Sequence, residues 1–385
     1  MQDPLHRNVI LIFSPKIGET MKKRLIFFLL FCLLALSLCG CTNEAVIHYK
    51  DCPEAYVKEL AYRDGFTVLQ LTDIHWSTGT QTGDESYGQE RYIRKVINEA
   101  ISHAGQIDLI EVAGDTFMLA TKPEVNAFIE LMADIGIPYA LVWGNHDREG
   151  KYNPNWLTQA FMNAPCCLYT EVDNDDVHER SNYVINLTDD EGNTVWQIFN
   201  LDSGASYREG AKDIFLDYDY IREDQLEWLA YEHSLVGEDV PALCYYHIAQ
   251  ADNDALFTAV TEEGAALKHK FFKLEHFAAS DYAGTTEEVF AANNVKAAFM
   301  GHAHAVDWTV TSESGIIYGM GVKTGTELYY GIAEPGYDAG FDFDDTFLII
   351  GASLVTLEDT VGNLRLEHLY LNEREKGDFI LWVEY

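Results

Sequence analysis

The chain reads as an α/β fold built on a mainly parallel sheet, and three observations predict it. Between residues 66 and 143, three short apolar runs alternate with two amphipathic runs of helical period. That order produces β-α-β-α-β units with right-handed crossovers. Each apolar run stops at a cluster of polar residues, which is where open α/β sheets collect their ligands. The composition, 48% hydrophobic and 13% aromatic over 385 residues, supplies enough apolar surface for a packed core.

The first strand is expected at 66–71, where β-branched and apolar residues follow Asp64-Gly65 and lead into Thr72-Asp73-Ile74-His75. A helix is expected at 89–103, because Ile93, Val96, Ile97, Ala100 and Ile101 recur on one face. The run at 109–113 ends in Gly114-Asp115. A second helix, at 123–135, has Pro123 in its first turn and Val125, Phe128, Ile129 and Met132 facing inward. The run at 139–143 ends in Gly144-Asn145-His146-Asp147. Further on, 182–187 and 194–199 flank Asp189-Asp190-Glu191-Gly192-Asn193 and predict a hairpin. A helix follows near 222–234. A strand at 242–246 ends in His247, and another at 295–300 ends in Gly301-His302-Ala303-His304. Residues 250–294 form a long excursion with at least one helix, near 285–292. Runs at 308–311, 347–356, 364–371 and 379–383 are expected to pair in largely antiparallel fashion.

The net charge is −36, so no binding to a nucleic-acid backbone is expected, because that requires a basic face. An anionic substrate would be repelled as well, unless a local cationic centre reverses the field.

The N-terminus carries a targeting pattern. Lys22, Lys23 and Arg24 precede an apolar run at 25–38 that is short for a spanning helix. The run ends in Leu38-Cys39-Gly40-Cys41, similar to a bacterial lipobox. Residues 1–40 are therefore read as a lipoprotein-type signal segment with its start at Met21. Cys41 is the lipidated residue, 41–60 carry it as a tether, and 61–385 form the folded domain. The expected location is extracytoplasmic, anchored to the cell membrane through lipid; the alternative is a spanning helix. Cys52, Cys166, Cys167 and Cys244 would remain, with spacing that suits no zinc motif and room for one disulfide.

The polar strand ends hold the chemistry. Asp73, His75, Asp115, Asn145, His146, His247, His302 and His304 are oxygen and imidazole donors without a thiolate. Such a set suits zinc, iron or manganese rather than a cysteine-rich structural zinc site. Asp73/His75 and His302/His304 are two apart, so each pair would reach one cavity if its segment stays extended.

Asp73-x-His75, Gly114-Asp115, Gly144-Asn145-His146-Asp147, His247 and Gly301-His302-x-His304 together resemble the calcineurin-like metallophosphoesterases. Within that superfamily, Leu201-Asp202-Ser203 and Tyr245-Tyr246-His247-Ile248 are similar to the small purple-acid-phosphatase-like enzymes, although no tyrosine ligand is evident. The resemblance implies a four-layer α/β/β/α sandwich with mixed sheets and two metal ions (Fe, Mn or Zn) between their upper edges. It implies that Asp73, His75 and His304 hold one ion and that Asn145, His247 and His302 hold the other. Asp115 bridges both, His146 serves the transition state or leaving group, and Asp147 orients His146. The implied reaction is hydrolysis of a small phosphate ester, first a monoester, by a metal-bound hydroxide. The alternatives are a phosphodiesterase or nucleotide hydrolase with the same core, or a non-catalytic metal-containing surface binding protein. Lys323, in the Gly-rich stretch 319–325, is a candidate phosphate contact. Trp76, Trp143 and Tyr246 flank ligands and read as packing.

Overall fold

The computed structural model describes residues 48–76, 88–150, 152–172, 176–208, 215–262, 269–273, 279–282, 284–304, 306–325, 349–372 and 379–384. The signal segment at 1–40 and the lipidation residue Cys41 lie outside them. Among the described residues no helix is long and apolar enough to cross a membrane.

The predicted βαβαβ unit is present as β2 (Phe66–Leu71), α1 (Gly88–Ala104), β3 (Leu109–Ala113), α2 (Lys122–Ile135) and β4 (Tyr139–Val142). β2 pairs with β3, and β3 with β4, in parallel. Every residue of these three strands is buried, as expected of parallel strands covered on both faces. α2 is set at both ends by local chemistry. The Glu124 side chain accepts the Thr121 N–H at 2.8 Å, and Gly136 adopts φ 73° to return its N–H to Met132 O.

The predicted hairpin is β5 (Tyr183–Thr188) and β6 (Thr194–Asn200). Its turn is drawn in by the Asp189 carboxylate, which accepts N–H groups from Glu191 and Asn193. β6 and β11 (Val295–Met300) flank β9 (Ala242–Tyr245), parallel to it. β12 (Val306–Thr311) runs antiparallel to β13 (Ile317–Met320), and β10 (His269–Lys273) closes that edge. The C-terminal runs form β14 (Ile349–Leu357), β15 (Leu364–Asn372) and β16 (Phe379–Glu384), antiparallel as expected. β14 also pairs antiparallel with β2, so the end of the chain completes the first sheet. A short hairpin, β7 (Ser206–Arg208) with β8 (Phe215–Tyr218), forms a two-stranded sheet of its own. The remaining helices are α3 (Pro154–Met162), α4 (Glu223–Val236), α5 (Ala251–Glu262) and α6 (Thr286–Ala292).

One expected boundary moves. Residues 57–60, expected in the tether, belong to β1 (Val57–Ala61), which pairs in parallel with β5. Tyr56 before it is buried with its ring 5.6 Å from that of Trp228. β1 is a half-exposed edge strand. Its backbone pairing carries it, and Val-Lys-Glu-Leu-Ala has no strong alternation to announce it. The stretch 319–325 likewise begins inside β13 rather than in a loop.

The two sheets run in the orders β16-β15-β14-β2-β3-β4 and β1-β5-β6-β9-β11-β13-β12-β10. Alternation along the strands sorts their side chains between layers. Tyr183, Ile185, Leu187, Ile198, Leu243 and Phe299 join the core shared with the first sheet and with α1 and α2. Val184, Phe199, Cys244, Ala298 and Met300 face the other way, onto Leu226, Trp228, Phe257 and Phe290 of α4, α5 and α6. The result is the α/β/β/α order of layers. The described cysteines are all free, so no disulfide forms among them.

Glu111 on β3 is fully buried, and neither carboxyl oxygen has a hydrogen-bond partner. Burial raises its pKa well above the usual range. Such a group costs the fold least while it is protonated in both states. As pH rises past the ordinary glutamate range, the unfolded chain ionises and the folded one does not. Stability then falls by about 1.4 kcal/mol per pH unit until the raised folded pKa is reached. Urea unfolding of chelator-treated protein should therefore show Glu111→Gln losing less stability than wild type between pH 5 and 8. Parallel pH dependences would contradict this assignment.

Candidate metal centre

The predicted donors come from the C-terminal ends of five strands, β2, β3 and β4 in one sheet and β9 and β11 in the other. The loops are tied together by backbone. Asp73 N–H and His75 N–H donate to Gly114 O and Asp115 O at 3.1 and 3.0 Å. Thr324 N–H and Gly325 N–H donate to Thr72 O and Asp73 O at 2.8 and 3.2 Å.

The two-residue spacing works differently from an extended strand. Asp73, His75, Asp115 and His302 have φ of 49°, 45°, 48° and 78°. Non-glycine residues avoid this left-handed region unless the surroundings hold them there, and such strain gathers at functional sites. The glycines beside them are required by space. A Cβ on Gly114 would overlap the His247 ring, and one on Gly144 would overlap the Asp115 carboxylate. Gly144 has no positive φ, so its need is close approach rather than a special turn.

Two groups of donors result. Asp73, His75, Asp115 and His304 form one, and Asp115, His247 and His302 the other, with the donor atoms of each within 4.8 Å of one another. Asp115 belongs to both. His75 Nε2 lies 3.1 Å from His304 Nε2, His304 Nε2 lies 3.3 Å from Asp73 Oδ1, and His247 Nε2 lies 3.2 Å from Asp115 Oδ2. The His247 Nδ1–H donates to Ala113 O at 2.9 Å, which turns Nε2 toward the cluster. This is the usual way a protein orients a ligating imidazole. Asn145 Oδ1, Asp115 Oδ2, His247 Nε2 and His302 Nε2 are all buried without a hydrogen-bond partner. Asp115, His247 and His302 belong to one donor group, and leaving three such atoms unpaired in one place is costly. A cation supplies the missing partner to all of them, so the residues fit a metal centre.

Protonation suits that purpose for all but His247, which must give up its Nε2 proton to a bound cation. Burial would raise Asp73, but the hydrogen bond and charge of His304 bring it down to about 2. Burial opposes ionisation of Asp115 too, yet His247 holds it far below the carboxylate range. Burial lowers His75 to about 4, and burial with the His247 charge lowers His302 to about 3. Burial also works against the His247 cation, but Asp115 outweighs it and pushes His247 up to about 10. The carboxylates are anionic and two of the imidazoles neutral at neutral pH, the forms in which they bind metal.

Residues 66–306 match the family described as calcineurin-like phosphoesterase. The chain belongs to this family. An Arabidopsis thaliana protein named "Probable inactive purple acid phosphatase 28" is 26% identical over 313 residues, covering 70% of this chain and 73% of that one. "Phosphatase DCR2" of Saccharomyces cerevisiae is 23% identical, over 48% of this chain and 34% of its own length. A "Probable cyclic nucleotide phosphodiesterase" of Psychrobacter arcticus is 32% identical, over 21% of this chain and 30% of its own. Among solved structures, a dimetal phosphatase from Danio rerio aligns with TM-score 0.48 at 12% identity, covering 83% of this chain and 99% of that one. As a calcineurin-like phosphoesterase the protein is a metal-dependent hydrolase.

Around this phosphoesterase centre, one expected role changes hands. Asp147 was expected to orient His146. Instead its oxygens accept the Phe117 N–H at 2.8 Å and the Gly144 N–H at 2.7 Å. Burial, then repulsion from Asp115, pushes its carboxyl up to about 8, with the two N–H donors pulling the other way. Asp147 shapes the loop, and Glu149 meets the histidine, Oε2 to His146 Nδ1 at 2.8 Å. His146 N–H donates to Asp115 Oδ1 at 2.9 Å, and its ring centroid lies 5.5 Å from that of His75.

Sequence reading missed Glu149, Arg148 and Thr72. Arg148 binds Glu179 at 2.7 Å and the buried Asp202 at 2.6 Å, which pins the turn carrying His146. The Thr72 hydroxyl donates to Asp73 Oδ2 at 2.7 Å. The only local signal for Glu149 was its three-residue separation from His146. His178, Glu179 and Asp219 also gather. Arg148 and Arg222 already pair with those two acids, and a cation there would meet fixed positive charge. Lys323 is 4% exposed, and its carbonyl accepts the Gly351 N–H at 3.0 Å. The visible role of its stretch is to clamp the Asp73 loop. Trp76, Trp143 and Tyr246 are buried packing residues.

Proposed function

We propose that the protein hydrolyses small phosphate monoesters at a binuclear centre. The observation that carries this reading is the pair of donor groups joined through Asp115, which gather six of the seven expected donors; the seventh, Asn145, has its Oδ1 buried without a partner. Asp73, His75 and His304 with Asp115 would hold one ion, and Asn145, His247 and His302 with Asp115 the other. When bound, such ions offset phosphate charge and make water a usable nucleophile near neutral pH. The local positive charge also answers the repulsion that a chain of net charge −36 exerts on an anion.

The chain's own part in the chemistry falls to His146. Its backbone is tied to Asp115 and its Nδ1 side faces Glu149. Nε2 is then the atom that holds a proton for the departing alkoxide. Support for a monoester comes from two relatives with phosphatase names, one of them named as probably inactive, which align over larger shares of this chain than the one named as a probable phosphodiesterase. A diester substrate is the second reading, with the same donors.

The deciding assay compares p-nitrophenyl phosphate with bis(p-nitrophenyl) phosphate in the presence of manganese, zinc, iron or chelator. Metal-dependent turnover, faster on the monoester, is expected. Faster turnover of the diester would reverse the substrate order, and no metal-dependent turnover of either would overturn the catalytic reading in favour of a surface binding protein.

We also propose a lipid anchor at Cys41, supported by Lys22 to Arg24, the apolar run at 25–38 and Leu38-Cys39-Gly40-Cys41. Cys41→Ala should move the protein from the membrane fraction to the soluble one. Retention in the membrane fraction would favour a spanning helix.

A further inference from the structure

His302 differs from the other ligand histidines. His247 is oriented by its hydrogen bond to Ala113 O, and His75 and His304 meet through their Nε2 atoms. The His302 ring makes no hydrogen bond to any described residue, although metal-ligating imidazoles are usually oriented through their second nitrogen. Its backbone is in the left-handed region, with the N–H held by both Asp73 oxygens at 3.2 and 3.0 Å. Nothing in that backbone anchor fixes rotation of the ring.

Two rings do. The His247 ring packs edge-on against one side, with centroids 5.2 Å apart and planes at 75°. Tyr218 packs closer, at 4.4 Å and 81°. Tyr218 is the last residue of β8, on the hairpin that belongs to neither main sheet. That hairpin is itself fastened. Ser280 Oγ donates to Tyr218 O at 2.9 Å, and Asp281 N–H donates to Asp217 Oδ2 at 2.6 Å. The Tyr220 and Tyr282 rings stack at 5.0 Å. The segment that holds the hairpin is in turn bridged to Ala249, just after His247.

We infer that Tyr218 is the positioning residue for the second ion: its ring, presented by the β7–β8 hairpin, holds the His302 imidazole in the rotamer that aims Nε2 at the metal. The inference rests on the binuclear reading above. It makes the second ion's affinity depend on an element outside the two sheets.

The test is a metal-binding titration of the purified full chain, stripped with chelator and titrated with Mn²⁺. Calorimetry supplies the stoichiometry, and electron paramagnetic resonance reads the coupling between paired ions. Wild type should bind two ions and show the coupled signal. Tyr218→Ala should keep the first ion at wild-type affinity and bind the second about 10- to 100-fold more weakly, the range seen when a ligand's outer support is removed. Tyr218→Phe, which keeps the ring, should restore both ions to within about twofold, well inside that range. Tyr218→Leu, which keeps apolar volume without a ring, should behave like Tyr218→Ala and guards against misfolding of the smaller variant. Two tight ions in both Tyr218→Ala and Tyr218→Leu would overturn the inference, as would Tyr218→Phe failing like Tyr218→Ala. His302→Ala serves as the marker for loss of the second ion. If wild type binds fewer than two ions, the binuclear reading falls, and the role of Tyr218 falls with it.

Discussion

Asp115→Asn should lose bound metal and phosphoesterase activity together, by at least about 100-fold. The floor follows from ligand support, since removing only an outer partner of a ligand already costs 10- to 100-fold. Asp115 does more than such a partner. Its Oδ2 faces His247, its Oδ1 accepts the His146 N–H, and its side chain lies in both donor groups. Asparagine keeps the shape but removes the negative charge that would offset two neighbouring cations. It also leaves His247 without the anionic partner beside its Nε2. Metal content by mass spectrometry and turnover of p-nitrophenyl phosphate should fall in step. A variant with two ions and normal turnover would show that Asp115 bridges nothing.

His146→Ala should keep both ions and lower kcat by about 10²- to 10⁴-fold, the range for a positioned proton donor. The loss should be larger for alkyl phosphates than for p-nitrophenyl phosphate, because a poor leaving group needs its proton and p-nitrophenolate does not. Glu149→Gln should give a smaller loss with the same leaving-group dependence, since Glu149 acts through the His146 ring. Combined with His146→Ala, Glu149→Gln should add nothing, the signature of residues acting as one unit. Asp147→Asn should instead show up in thermal stability, because its two side-chain oxygens hold the Phe117 and Gly144 amides. Equal effects of Glu149→Gln on alkyl and aryl substrates would remove Glu149 from the proton-transfer path.

The candidate donors were legible because each sits where a local pattern changes abruptly. β2, β3 and β4 are wholly apolar and stop at polar residues, a transition that period and composition both reveal. Other elements carry no such mark. β1 is an edge strand with weak alternation, and β13 hides in a Gly-rich stretch that reads as a loop. The sequence points to Asp147 as the partner of His146, two residues short of Glu149. Both acids are close in sequence, and only the short 3-10 turn Asp147–Glu149 decides which one reaches the ring.

The sequence by itself determined the βαβαβ core, the antiparallel closing strands and the inventory of donors, because hydrophobic period and strand-end chemistry are local properties. Tertiary structure alone decided how those donors divide. Asp115 meets His247 from the other sheet, His75 meets His304 across 229 residues, and Tyr218 reaches His302 from a separate hairpin. It also placed β14 beside β2 and buried Glu111 without a partner. These are long-range pairings, fixed by which layers pack together, and no local period in the chain encodes them.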